Sequence, residues 1–357
     1  MKRKVLAVCT IAAMAMNLMA CGAENANAST NVSTEKNTQN AATEQADDNT
    51  ESKEQSGSVT VYMPSPTDLN TAYVDGFEKK TGIKVDLFEG TTGEILARLE
   101  TEKNNPVADV VVLASWSDGL SMKNSGQTLS YPEADNKDKL YKEWVDEDNM
   151  LFGTSASALG VIYNTTIIES LNADWSELSD EQYKDLLAIP DPEKSGSCKD
   201  FLAGYMCDTD NDWSAWEGMA NNGMMIAGAN KAALESVITG EKGILVAGVD
   251  YNAYTNMEKG EPLNIYYPES GTVINPRPAM ILKSSQNVDN AKAFIDYLMS
   301  DEAQMMVADA YLLPGRSDIT CGNRTNVSEI TTFRNMDWNT MMKNSGEIAS
   351  KLNKLCQ

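Results

Sequence analysis

Apolar positions along the chain repeat with two spacings, which predict alternating strands and helices. The predicted strands are residues 59–62, 83–88, 108–113, 158–163, 243–249 and 263–267. The predicted helices are residues 69–81, the segment after Gly93, and residues 290–300 and 301–310. Residues 108–113 are apolar except for Asp109, as in a strand that is buried on both faces of a parallel sheet. This order of elements predicts an α/β fold.

Two hydroxyl-rich loops precede predicted helices. Thr91 and Thr92 lie between two glycines after the strand 83–88, and Ser195 and Ser197 lie ahead of a helix that begins near Cys198. Helix N-termini offer free N–H groups and a favourable dipole to an oxyanion. The alternative is that these side chains only cap their own helices.

Other candidates follow predicted strands, where open α/β sheets bind ligands. Ser65 and Thr67 follow the first strand, and Ser115 and Trp116 follow the strand 108–113. The indole could pack on a ligand or only cap the edge of the core. The pair Asp250 and Tyr251 follows the strand 243–249, where the aspartate could neutralise an ammonium group or form a turn.

The N-terminal residues predict export. Three basic residues precede an uncharged, mostly apolar run from residue 5 to residue 20, which is shorter than the roughly 20 residues of a membrane-spanning helix. Small residues flank Cys21, as in the lipobox of bacterial lipoproteins. We therefore expect a signal peptide over residues 1–20 and a lipid on Cys21 that anchors the protein to the outside of the cell membrane.

The following segment, residues 21–57, is polar and contains no aromatic residue, leucine or isoleucine. Such a composition predicts a disordered stalk. The net charge of the whole chain is −23, and loss of the signal peptide makes it three units more negative. A body this acidic is repelled by phosphate backbones, which argues against nucleic acid as a partner.

Four cysteines remain after the signal peptide and the lipidated position. They are Cys198, Cys207, Cys321 and Cys356. An even number in an exported protein makes two disulfides plausible, and proximity in sequence favours the first with the second and the third with the fourth. Their scattered spacing and the absence of histidine argue against a zinc site.

Several segments together resemble the extracellular solute-binding proteins of ABC importers, in the branch of ferric-ion, 2-aminoethylphosphonate and hexose-phosphate binders. The segments are residues 79–85, 90–94, 108–110, 159–165, 190–192, 195–197, 260–262, 267–272 and 300–304. Their order along residues 58–318 carries the resemblance more than any single motif does.

This resemblance implies a two-lobed, type 2 periplasmic-binding-protein fold that closes on its ligand. Two hinge crossings are expected near residues 153–163 and 263–275. Lobe 1 would comprise residues 58–153 and 275–320, and lobe 2 residues 154–274. Residues 321–357 are expected to form a helical tail of unassigned role. Ser155, near the first crossing, completes the set of candidate ligand contacts.

The resemblance also brings an alternative ligand, ferric iron. Ferric-binding relatives carry two adjacent tyrosines where this chain has Asp250 and Tyr251, with Tyr254 three positions further on. Hard ferric iron prefers phenolate and carboxylate oxygens, commonly with histidine. Because the tyrosine pair is incomplete and histidine is absent, the departure favours an oxyanion over a protein-coordinated metal.

We therefore expect a substrate-binding lipoprotein that captures a phosphonate or sugar phosphate, without a cofactor and without catalysis. Its partners would be an ABC permease, its ATPase and the solute, and the protein itself would be a monomer. The alternatives are a carrier of ferric iron or a ferric chelate, and, more weakly, a surface adhesion lipoprotein or a hydrolase. A hydrolase lacks support because the chain has no histidine and no Gly-x-Ser-x-Gly motif.

Overall fold

A computed structural model describes residues 57–64 and 66–357. The predicted signal peptide, Cys21, Ser65 and all of the predicted stalk except Gly57 lie outside the described residues. Within the described part, no helix combines the length and the apolar character that a membrane crossing requires.

The first lobe is an α/β unit that the chain enters twice. Its first passage contains β1 Ser58–Met63, α1 Thr67–Thr81, β2 Lys84–Glu89, α2 Thr92–Glu102, β3 Val110–Val112, α3 Trp116–Asn124 and β4 Thr128–Leu129. Its second passage contains β10 Ile274–Leu282, α8 Val288–Leu298, α9 Asp301–Asp309 and β11 Leu313–Pro314. Strand β1 pairs in parallel with β2 and β3, and β10 pairs antiparallel with β3.

The second lobe lies between these two passages in sequence. It contains β6 Leu187–Ile189, α4 Gly196–Asp208, α5 Ser214–Asn221, β7 Met225–Ile226, α6 Asn230–Ile238, β8 Ile244–Val249, α7 Asp250–Glu258 and β9 Leu263–Tyr266. Strand β6 pairs in parallel with β7 and β8. Parallel strands joined by helices agree with the α/β fold that the sequence predicts.

One long strand, β5 Phe152–Asn164, connects the two lobes. Its first half pairs with β10, and its second half, from Leu159 onward, pairs with β8 and β9. The return passage runs from β9 to β10. The chain thus passes twice between the two groups of strands, whereas the exact hinge positions and the lobe boundaries at residues 153/154 and 274/275 stay predictions.

The periodic apolar positions form the core. Helix α1 buries Leu69, Tyr73 and Phe77, which repeat every four residues on one face. The helix ends at Gly82, whose φ of 76° lies in the left-handed region that glycine tolerates best. All three residues of β3 are buried, as expected for a central strand.

The C-terminal tail returns to the second lobe and then contacts both lobes. Its one α-helix within the described residues is α10, Trp338–Leu355, whereas residues 321–337 carry only a single 3-10 turn, at Val327–Glu329. Helix α10 packs on α4 and α5 of the second lobe and on α3 of the first. The Asn124 amide lies 3.2 Å from the sulfur of Met342, and Trp338 packs against core clusters in both lobes.

The disulfide pairs favoured by sequence proximity are absent, because all four cysteines in the described residues are free thiols. Cys198 and Cys207 lie nine residues apart on α4, a rise of about 13 Å. A disulfide needs Cα atoms within ~7 Å. The thiols of Cys198 and Cys321 are buried instead and donate to the carbonyl oxygens of Pro190 and Leu312, each at 3.2 Å.

Candidate functional site

A cavity of about 520 Å³ lies between the lobes. The first lobe contributes Pro64, Pro66, Thr67, Asp68, Glu89, Gly90, Thr91, Thr92, Glu94, Ala114 and Arg277 to its lining. The second lobe contributes Lys194, Ser195, Gly196, Ala229, Asn230, Lys231, Leu234, Glu235, Ile238, Tyr251, Asn252, Thr255, Asn256 and Lys259. This volume suits a small molecule, and a ligand there would contact both lobes.

The start of α2 forms one wall of the cavity. The Thr91 hydroxyl accepts the amide of Glu94 at 3.2 Å, and the Glu94 carboxylate accepts the amide of Thr91 at 2.7 Å, which makes a reciprocal capping box. Thr92 is buried, and its hydroxyl accepts the amide of Ala114 at 3.0 Å. Both threonines line the cavity as predicted, but their hydroxyls are also used within the protein.

The start of α4 forms the opposite wall. The Ser195 hydroxyl accepts the amide of Cys198 at 3.1 Å and donates to the side-chain oxygen of Asn230 at 2.7 Å. Ser197 is buried, and its hydroxyl accepts from the Asn230 amide at 3.3 Å. Asn230 therefore fixes both serines, a role that the sequence analysis missed.

The two helix starts approach each other closely across the boundary between the lobes. A methyl group placed on Gly196 would lie 2.8 Å from Cβ of Ser115 and 3.0 Å from a methyl carbon of Thr92. One placed on Gly93 would lie 3.0 Å from the carbonyl oxygen of Glu193. A side chain at Gly196 would force its neighbours to shift, and one at Gly93 would be unusually tight, so the lobes are in close contact at these two glycines.

Arg277 brings a cation to the site that the sequence analysis did not identify. It lies on β10 between two prolines and is only 4% exposed, yet it lines the cavity. Its guanidinium stacks over the ring of Tyr251, 5.1 Å from the centroid. Arg277 is the single charged residue in the strand Ile274–Leu282. Because an arginine is rarely buried unless the structure provides partners for it, this isolated charge was the signal in the sequence.

Two further predicted residues, Thr67 and Tyr251, line the same cavity. Ser155 does not. It faces a separate space of about 20 Å³ that Arg277 also lines, which is room for about one water molecule. Ser155 therefore shares this small space with Arg277 and does not line the main cavity.

Trp116 and Ser115, which the sequence analysis placed among the ligand contacts, do not line the cavity. Trp116 is buried in a core cluster of the first lobe with Leu151 and Met280, so it does not reach the cavity. Ser115 is fully buried as the N-cap of α3, where its hydroxyl accepts the amide of Asp118 at 3.0 Å. Trp116 is therefore a core residue of the first lobe.

Asp250 is a structural residue and does not contact the cavity. Its carboxylate forms an ion pair with Arg324, and both side chains are fully buried. It also accepts the amide of Ala158 at 2.9 Å and the hydroxyl of Tyr267 at 3.1 Å. The prediction that it neutralises a ligand is wrong, because its negative charge is already compensated by Arg324 and these donors.

The three oxygen ligands of the iron alternative do not converge. Asp250 is paired with Arg324, while Tyr251 lies in the cavity beside Arg277. The Tyr254 hydroxyl contacts Tyr267 at 3.4 Å, and the Tyr254 ring stacks on another tyrosine outside the cavity. Over residues 57–64 and 66–357, no cluster of three or more histidine, cysteine, aspartate or glutamate side chains is arranged to hold a metal ion.

The cavity also contains polar residues that sequence reasoning missed, chiefly on α6 and α7. Asn252 and Asn256 lie one turn apart on α7, Lys259 directly follows the last residue of that helix, and all three line the cavity together with Lys231 of α6. Such a polar stripe is what any solvated helix face shows. Nothing local in the sequence distinguished it from an ordinary surface.

Two α/β lobes that are joined by two crossing segments and enclose a cavity between them define a bilobal binding protein. The chain belongs to the bacterial extracellular solute-binding proteins, whose family model matches residues 105–344, more than half of its length. It is accordingly a solute-binding protein of the kind that serves ABC importers, and its relatives include transport proteins for different solutes.

Among curated relatives, a Salmonella typhimurium periplasmic protein named for binding 2-aminoethylphosphonate is 27% identical over 263 residues, which is 69% of this chain and 74% of the relative. Iron uptake protein A1 of Synechocystis is 25% identical over 247 residues, or 65% of this chain and 68% of the relative.

Solved structures show the same fold. The periplasmic binding protein AfuA of Actinobacillus pleuropneumoniae, with fructose-6-phosphate bound, has a TM-score of 0.75 at 20% identity and covers 84% of this chain and 98% of its own. Iron-bound HitA of Pseudomonas aeruginosa has a TM-score of 0.73 at 20% identity, covering 83% and 99%. The family and fold implied by the sequence are thus confirmed.

Proposed function

We propose that this protein captures a small solute that carries a phosphonate or phosphate group and delivers it to an ABC importer. The observation that carries the proposal is the position of the Arg277 guanidinium, which lines the same cavity as the N-termini of α2 and α4. Arginine matches the geometry of such oxyanions through parallel N–H bonds.

The N-termini of α2 and α4 supply further hydrogen-bond donors, and their partial positive charge suits an oxyanion. The caps take the amides of Glu94 and Cys198, which leaves for a ligand the first-turn amides of Thr92 and Gly196, two residues that line the cavity. Backbone amides at a helix N-terminus favour negative charge without adding a formal charge. An oxyanion can therefore bind despite the strongly acidic composition of the chain.

The remaining lining is mixed in charge and fits the rest of such a solute. Lys194, Lys231 and Lys259 line the cavity together with Asp68 and Glu235. Two more carboxylates line the cavity, those of Glu89 and Glu94, and both accept donors within the protein. Asp68 and Glu235 offer partners for an ammonium group, as an aminophosphonate would require, and the Asn side chains suit hydroxyl groups. The relative that is named for 2-aminoethylphosphonate supports this class of ligand.

Isothermal titration calorimetry and thermal shift would test the proposal with 2-aminoethylphosphonate, inorganic phosphate, fructose 6-phosphate, ferric citrate and citrate. We expect a phosphonate or phosphate probe to bind and to raise the melting temperature, because a ligand that binds only the native state stabilises it. Arg277→Lys should weaken binding by roughly 10- to 150-fold, the equivalent of about 1.5–3 kcal/mol for hydrogen bonds to a charged group.

Lys283→Met is the matched control, since this exposed lysine directly follows the same strand and lies outside the cavity. It should bind like the wild type. Binding of ferric citrate alone would overturn the oxyanion assignment and favour the iron alternative. Unchanged phosphonate or phosphate affinity in Arg277→Lys would refute the role of Arg277 in binding the oxyanion. Failure of every probe would refute both ligand classes.

The membrane anchor is part of the same proposal. Lipidation of Cys21 after removal of residues 1–20 would hold the protein on the outer face of the cell membrane, beside its permease. A single acyl signal binds a membrane only marginally, whereas a doubly or triply acylated N-terminus is retained. Cys21→Ala should shift the protein from the membrane fraction to the soluble exported fraction, and retention in the membrane would refute the anchor.

A further inference from the structure

Helices α3 and α4, one from each lobe, form polar contacts where the lobes meet. The ammonium group of Lys199 lies 2.5 and 2.7 Å from the two carboxylate oxygens of Asp118, and the two side chains are only 17% and 13% exposed. Beside this pair, the hydroxyl of Ser117 donates to the carboxylate of Asp200, and the Ser117 amide lies 3.4 Å from it. We call these four residues the interlobe clasp.

The interlobe clasp lies outside the cavity. None of its four residues is among those that line the space between the lobes. It is accompanied by α10, which packs on both α3 and α4. The lobes are therefore held together by contacts that do not involve a solute.

These contacts require the two lobes to lie as close together as they do in this structure, which we call the closed arrangement. The ion pair is largely removed from water, where opposite charges attract more strongly than on an exposed surface. Asp118 lies in the first turn of α3, where the helix dipole favours its negative charge. Separation of the lobes would break the ion pair and the Ser117 hydrogen bonds together.

We propose that the interlobe clasp stabilises the closed arrangement of the lobes independently of the solute. A ligand that needs both lobes binds more weakly when only a fraction of the molecules is closed. Asp118 and Lys199 thus tune solute affinity without touching the solute.

Asp200 makes the interlobe clasp sensitive to pH. Burial, followed by the negative charge of Asp118, raises the pKa of Asp200 to about 7, against the opposing effect of Ser117 and Lys199. The charged groups that face it are Asp118 of α3 and Lys199 of α4. Opening would hydrate Asp200 and return its pKa toward 3.8. The closed form is therefore favoured at low pH and loses that advantage as the pH rises from about 4 through about 7.

The test uses the unliganded protein, so its result does not depend on which solute binds. Small-angle X-ray scattering would report the radius of gyration, and hydrogen–deuterium exchange would report the peptides around α3 and α4. We expect Asp118→Asn and Lys199→Gln to open the lobes and to speed exchange in both peptides by roughly twofold to a hundredfold, the range of coupling between contacting residues. The double variant should change little beyond either single variant.

Glu133→Gln is the matched control, because it removes an ion pair of 2.9 Å with Lys292 inside the first lobe. It should leave the radius of gyration unchanged. If the interlobe clasp variants scatter and exchange like the wild type, the proposal is wrong. If a variant fails to fold, the radius of gyration of the wild type is compared at pH 6 and pH 8.5. The proposal requires a larger radius at pH 8.5, and it requires that Asp200→Asn abolish this difference.

Discussion

The buried ion pair between Asp250 and Arg324 allows a direct test of the structural role of a residue that sequence reasoning assigned to the ligand. The change is Asp250→Asn, which keeps the shape of the side chain and removes its charge. Arg324 would then remain fully buried without its carboxylate, and the donors of Ala158 and Tyr267 would face a weaker acceptor.

The magnitude follows from this burial. Removal of one partner of a buried ion pair costs about 3–5 kcal/mol, because the remaining charge is uncompensated. A domain loses about 2–4 °C of melting temperature per kcal/mol at a length of about 150–250 residues, so we expect a decrease on the order of 10 °C. The double variant Asp250→Asn with Arg324→Met should recover part of this loss, since a buried pair can often be replaced by uncharged groups.

Urea denaturation followed by tryptophan fluorescence and circular dichroism would measure the free energy of unfolding. Glu100→Gln is the control, because its ion pair with Lys103 is exposed and should contribute little. Calorimetry on the double variant would show whether solute affinity persists, as the structural role requires. If Asp250→Asn were no more destabilising than Glu100→Gln, or if the stable double variant lost binding, the assignment would be refuted.

Three further predictions follow from particular contacts. Gly196→Ala should weaken phosphonate affinity in calorimetry, because its methyl group would meet Ser115 and hold the lobes apart, whereas Gly346→Ala has nothing within 4 Å and should leave affinity unchanged. Asn230→Ala should lower affinity less than Arg277→Lys does, since Asn230 acts through Ser195 and Ser197; an equal loss would indicate direct contact with the ligand. Finally, a reductant should not shift the melting temperature, and the buried thiols of Cys198 and Cys321 should react with a thiol reagent only after unfolding. A shift on reduction would reveal a disulfide.

The features that the sequence predicted well depend on neighbours within a few residues. The capping box at Thr91 joins residues three positions apart, and the Ser195 cap likewise reaches Cys198. Apolar periodicity also reports directly on burial, which is why α1 and β3 agree with their predicted positions. Such interactions form whenever the local segment adopts its structure, so the residue pattern suffices to anticipate them.

The roles of Asp250, Trp116 and Arg277 depended instead on distant parts of the chain. Asp250 is compensated by a residue 74 positions away, and the backbone at Trp116 is tied to Asn275, 159 positions away. A side chain after a strand has the same local signature whether it meets a ligand, an ion-pair partner or the core. The sequence by itself thus determined the lobes' α/β character, the helix caps and the family, whereas only the tertiary structure decided which polar residues face the cavity, because that choice rests on long-range packing.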